Sequence, residues 1–334
     1  MSRRKIIQLC GVFVFLVVLC LVANAIWQPF EPRYEGKRLS AWTKDLFFIE
    51  GFIKDPRTPA VRQKHEQAVA AIQHMGVRIL PLALKLCRAK DSWLKEKLED
   101  WSDDWNGKHE NFEIHITAAA DKQNEGSSII WALGPMAKPA IPDLIKMLEN
   151  KDQEIAGSAM NALQGVGADT IPPLIELLHN PNPEFRRRAA SVLGMMEPKA
   201  HTAVSALLQC LEDKNEGVRL IAVRSLGLIR DDAPIVVPAL IRCLEEETNN
   251  PIPWDYFIAL GHFGTNAKPA VPILIKIIES HKINYMPPAW GALGALNKID
   301  PEAAQPFIEK WKAGIINASS ANLRRSSKNN FKQP

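Results

Sequence analysis

The chain of 334 residues is predicted to be all-α: a right-handed α-solenoid of about seven helix pairs, preceded by a single N-terminal transmembrane helix. Three observations predict it. The first is an internal copy, in which Leu260-Gly261-His262-Phe263-Gly264-Thr265-Asn266-Ala267-Lys268-Pro269-Ala270-Val271-Pro272 reprints Leu133-Gly134-Pro135-Met136-Ala137-Lys138-Pro139-Ala140-Ile141-Pro142 with three residues added. The second is a period. Leu-Gly steps stand at Leu133-Gly134, Leu193-Gly194, Leu226-Gly227, Leu260-Gly261 and Leu293-Gly294, with Leu163-Gln164 as a degenerate copy, at spacings of 30, 30, 33, 34 and 33 residues. A self-similar period of this length marks a stacked array of supersecondary units. The third is an apolar run from Ile6 to Ile26, interrupted only by Gln8, Gly11 and Asn24 and preceded by Arg3, Arg4 and Lys5.

At the amino terminus, the 21 residues of that run cover about 30 Å at ~1.5 Å per residue, the thickness of a bilayer's hydrocarbon core. The basic flank belongs on the cytoplasmic side, which places the repeats outside the cytoplasm. Residues 1–27 are therefore read as flank and signal-anchor, and 28–38 as a linker. Ala23-Asn24-Ala25 also fits a small-x-small cleavage site, so a secreted or periplasmic product released near Ala25 stays open. The leucine before Cys20 argues against a lipoprotein site.

The repeats follow over 39–317. Each opens with a helix whose proline lies in the first turn, where a missing N–H has no intrahelical partner to lose. Pro81, Pro142, Pro172 and Pro238 mark these starts, Ser40 reads as the N-cap of the first helix, and Thr58-Pro59 as the start of the second. Polar turns such as Asp213-Lys214-Asn215-Glu216-Gly217 end the first helix of a pair. The second helix carries small or apolar residues three and four places before the leucine of the step: Ala159 and Met160, Ala189 and Ala190, Ala222 and Val223. Such a pair cannot cover its own stripe, so pairs must stack. An insertion at 88–110 carries Trp93, Trp101 and Trp105 among acids, and Pro301 to Ile316 reads as a closing helix. The tail, 318–334, is basic and polar, and reads as a disordered end.

The composition, 46 % hydrophobic and 23 % charged, is that of a folded chain. The formal charge of +4 resides at the ends: Arg3, Arg4 and Lys5 supply +3, and Arg324, Arg325, Lys328 and Lys332 supply +4, which leaves −3 for the rest. A weakly acidic body lacks the basic face that nucleic acid requires. Cys87, Cys210 and Cys243 follow leucine-rich runs without metal spacing and read as buried free thiols; Cys10 and Cys20 lie in the anchor.

The Pro142-Asp143-Leu144-Ile145 and Pro238-Ala239-Leu240-Ile241 first helices, with the Val218-Arg219, Ala222 and Leu226-Gly227 pattern of a second helix, resemble HEAT repeats of the short bacterial, phycobilisome-lyase-like type, over about residues 60 to 312. Tyr34 to Trp42 is similar to a stretch found after the anchor in exported HEAT proteins. The resemblance implies a solenoid that offers its second helices as a concave binding face, and no shared chemistry. It also implies that Arg186 and Arg219 tie neighbouring turns together. Two enzymes within that class define the alternative. A metal-dependent hydroxylase would hold iron through His-Glu pairs at equivalent positions, and here only His65-Glu66 falls in register, with His109-Glu110 at the edge of the insertion. A bilin lyase would need a tetrapyrrole-sized pocket and cytoplasmic access. No Gly-x-Ser-x-Gly, His-Glu-x-x-His or phosphate loop is present in the sequence, and the other histidines are scattered.

The expectation is therefore a non-catalytic scaffold without cofactor or metal, anchored in the membrane and binding a protein or peptide partner. Positions five and two before the leucine of each step should lie opposite the packed stripe. They form a row: Ser128 and Trp131, Ser158 and Asn161, Arg188 and Ser191, Ile221 and Arg224, Asp255 and Ile258. Mixed charge and apolar side chains suit a protein partner, and tryptophan and arginine carry binding energy when a partner covers them.

Overall fold

Stacked helical hairpins build the molecule, and a computed structural model describes them over residues 31–46, 58–91, 119–246, 252–280 and 287–312. The expected anchor at 1–27, residues 92–110 of the insertion, and the tail at 318–334 lie outside the described residues. Two compact units divide the chain, Met1–Val166 and Gly167–Pro334.

In the first unit the segment read as a linker holds a two-stranded antiparallel ribbon, β1 (Arg33–Tyr34) and β2 (Lys37–Arg38). It turns through Glu35 and Gly36, whose φ values of 48° and 75° are both left-handed. Helix α1 (Leu39–Thr43) follows at once. Its N-cap is Arg38 rather than the expected Ser40, because the Ser40 N–H is already inside the helix and donates to the Glu31 carboxylate. Trp42 is buried and its Nε1 donates to the Tyr34 carbonyl at 3.3 Å, while the Tyr34 ring stands 4.4 Å from that of His74. The ribbon thus seats on α2 (Pro59–Met75), which starts after Thr58 as expected. Then come α3 (Leu80–Cys87), α4 (Ala119–Leu133), α5 (Ile141–Leu148) and α6 (Gln153–Val166), with α3 on α4, α5 on α6, and α4 on α6. Among the described residues, Pro59–Cys87 is long and apolar enough to cross a membrane. Gly76, at φ 64°, breaks it in two, and Ala68, Ile72, Met75, Ile79, Ala83 and Cys87 are buried in protein, so it is hairpin core.

The second unit contains α7 (Ile171–Leu177), α8 (Pro183–Met195), α9 (Val204–Cys210), α10 (Glu216–Ile229), α11 (Ala233–Glu246), α12 (Trp254–His262), α13 (Val271–Ser280) and α14 (Pro287–Ile299), closed by a helix over 301–312. First helices pack on their own second helices, and the second helices α8, α10, α12 and α14 pack on one another in chain order. Pro81, Pro142 and Pro172 occupy first turns as expected. Pro238 does not: it lies inside α11, which starts earlier because the Asp232 carbonyl accepts from the N–H groups of Ile235 and Val236.

Six second helices, α2, α4, α6, α8, α10 and α12, run out into a left-handed residue, at Gly76, Gly134, Gly167, Glu197, Arg230 and Gly264. Four are glycine, which pays no Cβ penalty there. Gly194, Gly227 and Gly261 do a different job three residues earlier. They are helical, and a Cβ on Gly194 would meet Ser225 Cα at 2.8 Å, one on Gly227 would meet Ala259 Cα at 2.5 Å, and one on Gly261 would stand 3.6 Å from Ala295 Cα. These are the points where second helices touch.

The same spacing corrects the register read at two Leu-Gly steps. Gly134 is the left-handed stop, so the counterpart of Gly227 in α4 is Trp131. Gly261 apposes Ala295 as Gly227 apposes Ala259, so the counterpart in α14 is Asn297 rather than Gly294. The buried apolar position therefore runs Ile130, Leu163, Leu193, Leu226, Leu260 and Leu296, each at most 1 % exposed, whereas Leu293 is only half-buried. Ala159, Ala189, Ala190, Ala222 and Val223 are buried as the packed stripe requires; Met160 is the exception and stays half-buried.

Candidate functional site

The turns of the second unit are built first, because they fix where the second helices point. Asn182 and Asn215 cap α8 and α10, their Oδ1 atoms accepting from Glu184 N at 3.0 Å and Val218 N at 3.2 Å. Arg186 grips Asp213 with both ends of its guanidinium at 2.7 Å and donates to the Asn180 carbonyl at 2.8 Å. Arg219 donates to the Asp213 carbonyl at 3.0 Å. The Arg186 guanidinium holds the Asp213 carboxyl below its ordinary range. Arg186 thus ties its own turn to the next, as the resemblance implied, whereas Arg219 holds the turn before its own helix.

On that frame the expected row divides. Arg224 and Ile258 are exposed, and Asn161, Ser191, Ser128, Ile221 and Asp255 are half-buried. Ser158 and Arg188, expected to face outward, are buried at 6 % and 3 %. The cause is local. The Ser158 hydroxyl donates to the Gln123 carbonyl of the neighbouring second helix at 3.2 Å. Arg188 turns back along its own helix to Glu184, 2.9 Å away, with its guanidinium over the Phe185 ring. Trp131 is 37 % exposed, but it sits in the touching position, its Nε1 donating to the Asn161 carbonyl at 2.7 Å and its ring against Gly165. It bridges α4 to α6.

Two members of the row hold each other: Arg224 Nη2 lies 2.7 Å from Asp255 Oδ1 across the α10–α12 seam. The pair is presented unequally, since the arginine side chain is 54 % exposed and the aspartate 17 %. One helix earlier, Glu184 accepts from both Arg187 and Arg188, so one carboxylate serves two guanidiniums. That draws its carboxyl below the ordinary range, Arg187 being the larger cause.

The row also missed residues. With Leu296 as the true step of α14, Trp254 and Trp290 each lie six residues before the buried leucine, at 47 % and 43 % exposure. The repeated tryptophan was visible in the sequence, but only a correct register makes the two equivalent. Trp290 further stacks edge-on with Trp311 at 4.8 Å. On the first helices, an open groove of about 960 Å³ between α9 and α11 is lined by Leu208, Glu212, Pro234, Ile235, Arg242 and Cys243, among others.

Among the described residues no three His, Cys, Asp or Glu side chains gather to hold a metal ion. Cys87 and Cys210 are buried free thiols whose pKa burial pushes up to about 11, and Cys243 is half-buried and free.

Residues 171–260 match the family model of HEAT repeats. No curated protein matches the chain. Among solved structures it is similar to an engineered protein, at 18 % identity over 70 % of this chain and 97 % of that one, TM-score 0.35. It is similar to the karyopherin Kap121p bound to the extreme C-terminus of the protein phosphatase Cdc14p, at 12 % identity, 86 % of this chain and a TM-score of 0.47; the chain covers 32 % of that karyopherin's length. It is similar also to the complex of CpcE and CpcF of phycocyanin lyase from Nostoc sp., at 15 % identity over 84 % and 97 %, TM-score 0.34.

Proposed function

We propose that this chain, whose residues 171–260 are HEAT repeats, is a non-catalytic scaffold of about seven hairpins, anchored by residues 1–27 and exported, which binds a protein or peptide partner along its second helices. One observation carries the binding reading. Side chains three residues before the touching glycine, Arg224 and Ile258, stand exposed on adjacent helices whose opposite stripes, Ala222, Val223 and Leu226 on α10 and Phe257, Ala259 and Leu260 on α12, are buried in the stack. Stacked repeats project such equivalent positions as an extended row, the arrangement by which solenoids bind elongated partners. Single exposed apolar residues are ordinary, but exposed ones at repeat-equivalent places form a surface.

The test is affinity capture from detergent-solubilised membranes with the full chain as bait, beside the double variant Arg224→Glu, Ile258→Glu. The expected result is a partner recovered by the parent chain and lost by the variant; a partner retained in full by the variant overturns the assignment of the second-helix row. Stoichiometric iron in the purified chain would overturn the non-catalytic reading in favour of the metal enzyme. For topology, a reporter active only in the cytoplasm, fused after Pro334, should stay silent.

A further inference from the structure

At the places six and two residues before the buried leucine, the exposed side chains of the second helices in the second unit are not uniform along the row. Those of α8 and α10 are cationic: Arg187 is 42 % exposed and Arg224 54 %. Their carboxylate partners do not cancel them. Glu184 is shared by two arginines, which leaves a net positive charge at that cluster, and Asp255 lies beneath Arg224 at 17 % exposure. Those of α12 and α14 are apolar: Trp254, Ile258 and Trp290 are 47 %, 42 % and 43 % exposed. Trp254 and Ile258 are four residues apart and share one face of α12. Trp290 occupies the place of Trp254 one repeat later.

We infer that this surface takes an extended peptide segment with two halves, an acidic one lying over Arg187 and Arg224 and an apolar, aromatic or proline-rich one lying over Trp254, Ile258 and Trp290. The inference rests on the protein-binding reading above and names its ligand. Charge complementarity sets the acidic half: a carboxylate reaching Arg224 meets the exposed end of its pair, while a lysine there meets like charge before it can reach Asp255. The aromatic half follows from the two tryptophans, which present large faces at low entropic cost. The length follows from geometry. Adjacent packed helices lie about 8–10 Å apart, so the three steps from α8 to α14 span about 24–30 Å, and an extended chain at about 3.3 Å per residue covers that in about seven to nine residues. Each repeat step then takes about three residues, which is the period of a polyproline II segment at ~3.1 Å rise. Arginine and tryptophan together also suit single-stranded nucleic acid. A backbone of phosphates would need cations along its whole path, and at those places α12 and α14 offer Trp254, Ile258 and Trp290 instead.

The test uses the full chain in detergent and fluorescein-labelled decapeptides read by anisotropy. One peptide has Glu-Asp-Glu-Asp-Gly followed by Pro-Leu-Pro-Phe-Pro; a second has lysines for the acids; a third has serines for the apolar half; the fourth probe is a labelled oligothymidine of fifteen nucleotides. The first peptide should bind at least tenfold more tightly than the other three. Trp254→Ala with Trp290→Ala should weaken it at least tenfold, and so should Arg187→Gln with Arg224→Gln, the latter alone also flattening its salt dependence. Ile235→Ala, an exposed site on first helix α11, should change nothing, and unchanged circular dichroism shows that each variant is folded. Equal or tighter binding of the lysine peptide or the oligothymidine, or no loss in the tryptophan variant, overturns the inference. If no probe binds while the Glu variant of the previous section still loses its captured partner, this inference falls and the protein-binding reading stands.

Discussion

Gly227→Ala adds one methyl group to α10, and the structure says where it goes: 2.5 Å from Ala259 Cα and 2.7 Å from Ala259 Cβ on α12. Ordinary carbon contacts lie near 3.5–4.0 Å, so the two helices must part by about 1 Å. Backbone cannot swing away as a long side chain can, and overpacking of this kind costs about 1–3 kcal/mol. Alanine's better helix propensity returns up to about 1 kcal/mol. The net expectation is a loss of about 1–2 kcal/mol, or a fall in melting temperature of about 2–8 °C for a unit of this size. Gly294→Ala is the matched control, because a Cβ there meets nothing within 4 Å and the site is exposed on α14. It should be neutral or stabilising by up to about 1 kcal/mol. Both variants are compared by thermal melts of the full chain, followed by circular dichroism. The reasoning is refuted if the two shift the midpoint in the same direction by similar amounts, since Gly227 would then not be a touching point between helices.

Other outcomes follow from the same contacts. Arg186→Met leaves Asp213 without its fork in a site where both side chains are mostly buried, at 16 % and 11 % exposure, and should cost about 2–3 kcal/mol in urea unfolding. Because the Asp213 carboxyl is held below its ordinary range, its stabilising contribution is complete above about pH 4 and lost as the pH falls through the lowered value; Asp213→Asn should remove that part of the acid dependence. Asn215→Ala removes the acceptor for Val218 N and should cost about 1 kcal/mol by the same assay. Cys87 and Cys210, with thiols pushed up to about 11 in buried sites, should resist a thiol-specific reagent at neutral pH until the chain unfolds, while half-buried Cys243 should react first, as peptide mapping would show.

Much of the helical architecture was legible because periodicity reports burial. The alanines and leucines of the second helices repeat at the places that stack, and the prolines of α3, α5 and α7 sit in first turns where chemistry allows them. The register was less legible, and the reason is physical. Leu-Gly serves two purposes in this chain, a left-handed stop at Gly134 and a close helix approach at Gly227, and the dipeptide looks the same in both. Treating them as one moved the count by three residues in α4 and α14, almost one helical turn. That slip put Trp131 into the exposed row and hid the equivalence of Trp254 and Trp290. The burial of Arg188 was illegible for another reason. A long side chain can fold back onto Glu184 and Phe185 of its own helix, so its helical position does not fix where its charge lies.

The central claim, that a partner is held by the second helices, is tested most directly by photo-crosslinking in the native cell. A benzophenone amino acid replaces Ile258 of α12 in one strain and Ile235 of α11, among the described residues the most exposed large apolar one of the first helices, in another. The account predicts a discrete protein adduct from position 258 that is absent from position 235; an adduct from 235 alone would contradict it.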